Sequence, residues 1–208
     1  MPNSLDALEP RAALVEIARD FHARGWMAGT AGNLSVRHDA DSFWITASAC
    51  PKGRLQTDDF VRMTVADCQV TERFDAQAKP SAEASIHCVI YQLFANAGAC
   101  LHVHTVDATW VSNRAAPAAA TLTLPSIEML KGLDVMEKDP KVELHLFDNL
   151  LEVPSIAKAI HSRFTNQAPR VPALLIRGHG VTVWGETVQQ AYNRVEIVEF
   201  LFSYLART

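Results

Sequence analysis

Apolar residues along this 208-residue chain switch repeatedly between helical spacing and short dense runs. Such an alternation restricts the fold to one in which strands pack against helices. Helical spacing predicts helices over residues 10–24, 82–97, 127–131, 155–164 and 188–205. The dense runs predict strands at 34–37, 43–46, 60–64, 69–71, 99–104, 142–147, 173–176 and 181–184. Local signals support these limits. Pro10 suits a first helical turn and Gly25 the position just past the end. Ser81 is placed to cap the second helix, and Gly132 to close the short third one. Thr187 and Gln190 have capping-box spacing before the stripe Val188, Ala191, Val195, Val198, Phe202, Leu205. The breaks between elements are short, so residues 1–208 are expected to form a single α/β domain. A closed eightfold barrel, which takes about 250 residues, does not fit the length.

Composition removes several function classes. There are 19 Lys+Arg against 23 Asp+Glu, a net charge of −4, which leaves no basic footprint for nucleic acid. The most apolar stretch, 88–101, is interrupted by Gln92 and Asn96 and falls short of the roughly 20 residues of a membrane span. The first residues carry acids and Pro10 where a signal peptide has a basic region and an apolar core, which predicts a cytoplasmic protein. Cys50, Cys68, Cys88 and Cys100 form no CxxC pair and are expected to be buried free thiols.

The chemistry concentrates in a few positions. His102 and His104 are two apart at the end of a strand, so their imidazoles project to one side while Leu101 and Val103 face the other. His179 stands between Gly178 and Gly180, where the backbone is free to bend, although a solvent-exposed turn histidine fits that setting too. Three histidines would leave an open coordination position, the pattern of a catalytic metal. Glu83 falls on the buried stripe of its helix. It is either a helix-start acid favoured by the macrodipole or a paired or metal-bound carboxylate. Glu128, at the start of the short helix, allows the same plain reading beside a catalytic one. The segments 29–33 and 46–53 are rich in backbone N–H groups, hydroxyls and one lysine, a combination suited to a phosphate monoester. Neither has P-loop spacing.

Read together, Gly29-Thr30-Ala31-Gly32-Asn33-Leu34-Ser35, the run 46–53, Lys79-Pro80-Ser81-Ala82-Glu83, His102-Val103-His104 and Arg177-Gly178-His179-Gly180-Val181 resemble the class II aldolase/adducin family. The block 127–132 and the run 183–187 are similar to a dehydratase branch of that family. The resemblance implies a three-layer α/β/α sandwich with a mainly antiparallel central sheet. It also implies a homotetramer with active sites near subunit interfaces, acting on a small sugar phosphate. It makes His102, His104 and His179 the ligands of one Zn2+ per subunit. Glu83 takes the acid/base position of the aldolases and Glu128 that of the dehydratase branch. Asn33, Thr46, Ser48 and Lys52 would bind the substrate phosphate. One position departs from the family: Ala49 follows Ser48 where glycine is common, so an N–H offered there at positive φ would be strained. Rival readings are a sugar-phosphate aldolase, a 4-epimerase and a non-catalytic adducin-like scaffold. The chain ends at Thr208 without the tyrosine-bearing tail common in the aldolases, and all three histidines stand, against a scaffold. Partners from nucleic acid or membrane are not expected.

Overall fold

A computed structural model describes residues 4–208. Its centre is a nine-stranded sheet made of β1 (Asn33–Arg37), β2 (Ser42–Thr46), β3 (Phe60–Thr64), β4 (Val70–Arg73), β5 (Ala99–Val103), β6 (Thr121–Leu124), β7 (Val142–Phe147), β8 (Ala173–Ile176) and β9 (Gly180–Gly185). The spatial order is β4-β3-β2-β1-β5-β9-β8-β7-β6. All neighbours are antiparallel except β7 and β8. Between those two the chain crosses over through helix α4 (Val153–Asn166), as a parallel pair requires.

Helices cover both faces. One core joins α1 (Pro10–Ala23), α3 (Val106–Arg114) and α5 (Val188–Arg207) to Leu34, Leu101, Val103, Val181 and Val183. The other joins α2 (Ala84–Leu93) and α4 to Phe43, Ile45, Cys100, Leu174 and Trp184. Successive residues of β5 therefore enter opposite cores, and the expected three-layer α/β/α arrangement around a mainly antiparallel sheet is what forms. Strand β5 is central and wholly buried, which is why it reads as a continuous apolar run interrupted only by His102. Its register places Asn33 of β1 and Thr182 of β9 on either side of His102.

Several elements differ from the sequence expectation. Helix α2 stops at Leu93, because Phe94 leaves helical geometry and Ala97 is buried in the turn into β5. Its cap is Glu83, while Ser81 Oγ, two residues earlier, accepts the Glu83 N–H. Neither α3 nor β6 is anticipated. Their apolar residues make no clean stripe, and α3 leaves Val106 82% exposed. The short helix is a 3-10 segment, Glu128–Leu133, and it ends at Asp134, whose φ is 63°, and not at Gly132. Gly132 answers a different need: a Cβ there would lie 2.2 Å from Ile197 Cδ1 of α5. Buried Arg194 pins the segment to α5 by donating to Asp134 Oδ2 (2.5 Å) and to Trp184 O (3.0 Å). Of the four cysteines, Cys50 and Cys100 are free, but Cys68 and Cys88 are joined in a disulfide. The β3–β4 turn carries Cys68 onto α2, a tertiary meeting that spacing along the chain does not reveal. No helix among the described residues is long and apolar enough to cross a membrane.

Helix α5 buries one carboxyl. Burial pushes Glu199 up to about 8; the Thr105 hydroxyl opposes the shift and Asp107 adds to it. The folded value exceeds the unfolded one, so the native state holds the extra proton between about 4.5 and 8, and stability falls as pH rises through that window. Glu199→Gln is expected to flatten this slope and to raise Tm at pH values above it. Thermal melts of both proteins across the window check this.

Candidate metal centre and substrate cavities

The four side chains singled out at the middle of the sheet meet at one point. Glu83, His102, His104 and His179 each offer a donor atom, and these atoms lie within 4.8 Å of one another. His102 and His104 leave the end of β5 on one side, as strand alternation requires, and their Nε2 atoms are 2.9 Å apart. His179 arrives from the β8–β9 turn. Gly178 takes φ 60° there, and a Cβ on Gly180 would strike Val103 O at 2.2 Å, so both glycines are needed for the imidazole to reach β5. Glu83 enters from the start of α2. Its Oε1 is 2.6 Å from His179 Nε2 and its Oε2 is 3.4 Å from His102 Nε2.

The electrostatics suit a cation. Burial lowers the His102 pKa, and burial together with His102 and His179 pushes His104 down to about 3. These imidazoles are neutral at physiological pH and offer lone pairs, the form that binds metal. Burial acts to raise the Glu83 pKa, but His102 and the hydrogen bond from His179 outweigh it and hold the carboxyl well below the usual range. Three converging nitrogens and one ionised carboxylate form a hard-to-intermediate donor set that fits zinc and similar divalent ions. The far nitrogen of His102, Nδ1, is 2.9 Å from Thr182 Oγ1, a contact that sets which nitrogen faces the centre.

Two cavities flank the centre and share His104. The smaller, about 310 Å³, is the more polar of the two, lined by Thr30, Gly32, Ser48, Ala49, Lys52, Ser81 and Glu83 among others. Lys52 is 2% exposed, and its Nζ donates to Thr30 O (3.1 Å) and Cys50 O (2.9 Å). Burial lowers its pKa; Cys50, Asp59 and Glu83 oppose the shift. Ala49 has φ 63°, the positive value at which an alanine in place of the family's usual glycine is strained. The larger cavity, about 720 Å³, is lined by His104, His179, Val106, Thr109, Trp110, Arg114 and Asn149 among others. The Arg114 guanidinium lies 4.5 Å from the Trp110 ring centre.

Not every anticipated residue joins this site. Ser48 and Lys52 line the polar cavity. Thr46 does not: its hydroxyl is fully buried and accepts the Leu34 N–H at 3.3 Å. Asn33 reaches the cavity edge, but its amide is committed to Glu83 and His87. Glu128 lines neither cavity. It is an exposed carboxylate paired with Lys131 at 3.0 Å, and that pairing lowers its pKa. Sequence reasoning missed Ser81 as a lining residue and all of α3. The signal for α3 was Thr105, whose hydroxyl accepts the Ala108 N–H at 3.0 Å in an ordinary N-cap.

Known proteins of the same build exist. The model of the class II aldolase and adducin N-terminal domain matches residues 12–205. A methylthioribulose-1-phosphate dehydratase of Microcystis aeruginosa is 51% identical over 197 residues, covering 95% of each chain. One from Leptospira biflexa is 38% identical over 208 residues, covering 98% of this chain and 99% of its own. Among solved structures, L-fuculose-1-phosphate aldolase of Thermus thermophilus superposes with a TM-score of 0.73 at 23% identity, over 94% of this chain and 92% of its own. YgbL of Klebsiella pneumoniae superposes with a TM-score of 0.80 at 22% identity, over 95% and 88%. The chain belongs to the class II aldolase and adducin family.

Proposed function

We propose that this chain is a hydro-lyase that converts 5-methylthioribulose 1-phosphate to 2,3-diketo-5-methylthiopentyl 1-phosphate, a step of methionine salvage. In this reading it works with one zinc ion per subunit, in a cytoplasmic homotetramer. The observation that carries the reading is the placement of His102, His104, His179 and Glu83 between a polar cavity and a larger, partly apolar one that share His104. A phosphate at one end of a five-carbon chain and a methylthio group at the other suit the two cavities. The reacting carbons then lie at the histidines. The names of relatives up to 51% identical support the same activity.

His102, His104 and His179 would hold the zinc ion, which would supply polarisation of a ketone and stabilisation of charge on adjoining oxygens. Lys52, Ser48 and the N–H groups of the 29–33 loop hold the phosphate. Glu128 removes the C3 proton. The electron pair left behind expels the C4 hydroxyl, which takes a proton and leaves as water. Ketonisation of the resulting enol then gives the diketone. Glu83, beside the same carbons, is the second carboxylate for proton transfer. Because Glu128 lies outside both cavities of its own chain, this role requires that it serve the site of a neighbouring subunit. Leu151 supports such a neighbour. It is 96% exposed, between Asn149 of the larger cavity and Val153 of the smaller.

Substrate analogues test this reading. Replacing the methylthio group by hydroxyl is expected to lower kcat/KM about 10- to 100-fold, the scale of one small apolar contact in a pocket. Lys52→Met is expected to raise KM about 10-fold or more by removing a charge-assisted contact to phosphate. Equal rates with both tails, or an unchanged KM in Lys52→Met, would contradict the assignment of the cavities.

A further inference from the structure

The Glu83 carboxylate is the near end of a buried chain of polar groups that runs away from both cavities. Asn33 Nδ2 donates to Glu83 Oε2. Asn33 Oδ1 is 2.5 Å from His87 Nε2. His87 Nδ1 is 2.6 Å from Ser35 Oγ, which is 2.8 Å from the Tyr91 hydroxyl. Ser35 and His87 are fully buried and Tyr91 is 2% exposed, so none of these three groups can exchange a partner for bulk water.

One assignment of protons satisfies every link from Glu83 to Tyr91; in it Ser35 Oγ gives its proton to His87 and not to Cys100 O, which lies 3.3 Å away. An ionised carboxylate only accepts, so Asn33 must present its NH2 to Glu83 and its oxygen to His87. That oxygen needs a donor, which places the His87 proton on Nε2. Nδ1 then carries a lone pair and accepts from the Ser35 hydroxyl. Ser35 in turn accepts from Tyr91. With the other tautomer, two lone pairs would face each other at Asn33, or the amide would turn and set its oxygen against the carboxylate. Burial, with repulsion from His102 second, pushes the His87 pKa down to about 3, so the ring stays neutral and keeps a single tautomer. Burial also raises the Tyr91 pKa well above its usual value, so its hydroxyl remains a donor.

We infer that His87, held by Ser35 and Tyr91, is a positioning residue that locks the Asn33 amide and thereby fixes the Glu83 carboxylate beside the three histidines. The need is greatest in the metal-loaded protein. A His179 Nε2 that ligates a metal no longer carries the proton it donates to Glu83, whereas the Asn33 N–H remains. An amide free to turn over would present either a donor or an acceptor to the carboxylate. His87 removes that ambiguity without touching substrate. This deepens the hydro-lyase reading and, for its kinetic arm, rests on it.

Two measurements on the zinc-loaded full chain test the inference. In the first, 15N spectra of the imidazoles at neutral pH are expected to show His87 protonated at Nε2 alone. A ring protonated at Nδ1, or at both nitrogens, would overturn the inference, and this arm needs no substrate. In the second, His87→Leu is expected to lower kcat about 10- to 100-fold with KM unchanged, the usual cost of losing a partner behind a site ligand. His87→Gln keeps an N–H toward Asn33 and is expected to recover most of the loss. Equal kcat in the two variants, or a loss confined to KM, would overturn it. If the wild-type chain does not dehydrate 5-methylthioribulose 1-phosphate, the functional reading fails, and the spectra still decide the His87 lock.

Discussion

His104→Ala is expected to release the bound metal and to lower kcat/KM by about three orders of magnitude or more. Metal polarisation of a carbonyl is worth several kcal/mol, and each tenfold in rate is about 1.36 kcal/mol. His104 is the informative choice among the three histidines. It is only partly buried and lines both cavities, so its loss opens space that is already open. His102, by contrast, is 1% exposed within β5 and in contact with Thr182, so replacing it also damages packing. Metal analysis of the purified variant, its Tm and its steady-state rates together check the result: no metal, little change in Tm, and the large loss of rate.

Glu128→Gln is expected to lower kcat by about 10²- to 10⁴-fold, the range of a general acid/base, while metal content and Tm stay at wild-type levels. Stability should not move, because the carboxylate is exposed and its partner among the described residues is the surface residue Lys131. Its position away from the cavities makes a sharper test available. Co-refolding of Glu128→Gln chains with His104→Ala chains is expected to restore activity, because in the proposed oligomer a mixed assembly would pair an intact metal site with an intact Glu128 from the neighbour. No recovery on mixing would contradict action across the interface. Full activity of Glu128→Gln alone would remove this residue from the mechanism.

Much of the site was legible before the fold because it depends on local geometry. Alternation along a strand put His102 and His104 on one side, and the glycines around His179 announced a bend that both of them require. Helical spacing turned Glu83 inward, although it stands at the cap before α2 and not within the helix, and the strain at Ala49 followed from the family resemblance, in which glycine is common at that position. What stayed hidden depends on which distant groups meet. Thr46 looks like a phosphate ligand until β1 brings the Leu34 N–H to its hydroxyl. Asn33 looks the same until His87 and Glu83 take its amide. His87 itself reads as an ordinary core histidine, and it is a satisfied one, but its partners lead to the centre. The Cys68–Cys88 bond and helix α3 are tertiary outcomes of the same kind. The sheet order and its one parallel pair could not be derived from periodicity, which says which face a residue takes and not which strand lies beside it.

The reaction proposed for this metal centre is the removal of water from a phosphorylated ketose. Incubation of the purified, zinc-loaded protein with 5-methylthioribulose 1-phosphate, followed by mass spectrometry and NMR of the products, tests it most directly. The expected product has lost one water and carries adjacent carbonyls at C2 and C3, with its phosphate and methylthio group in place. Cleavage into two shorter fragments, inversion at C4 with no loss of mass, or no turnover would contradict the claim.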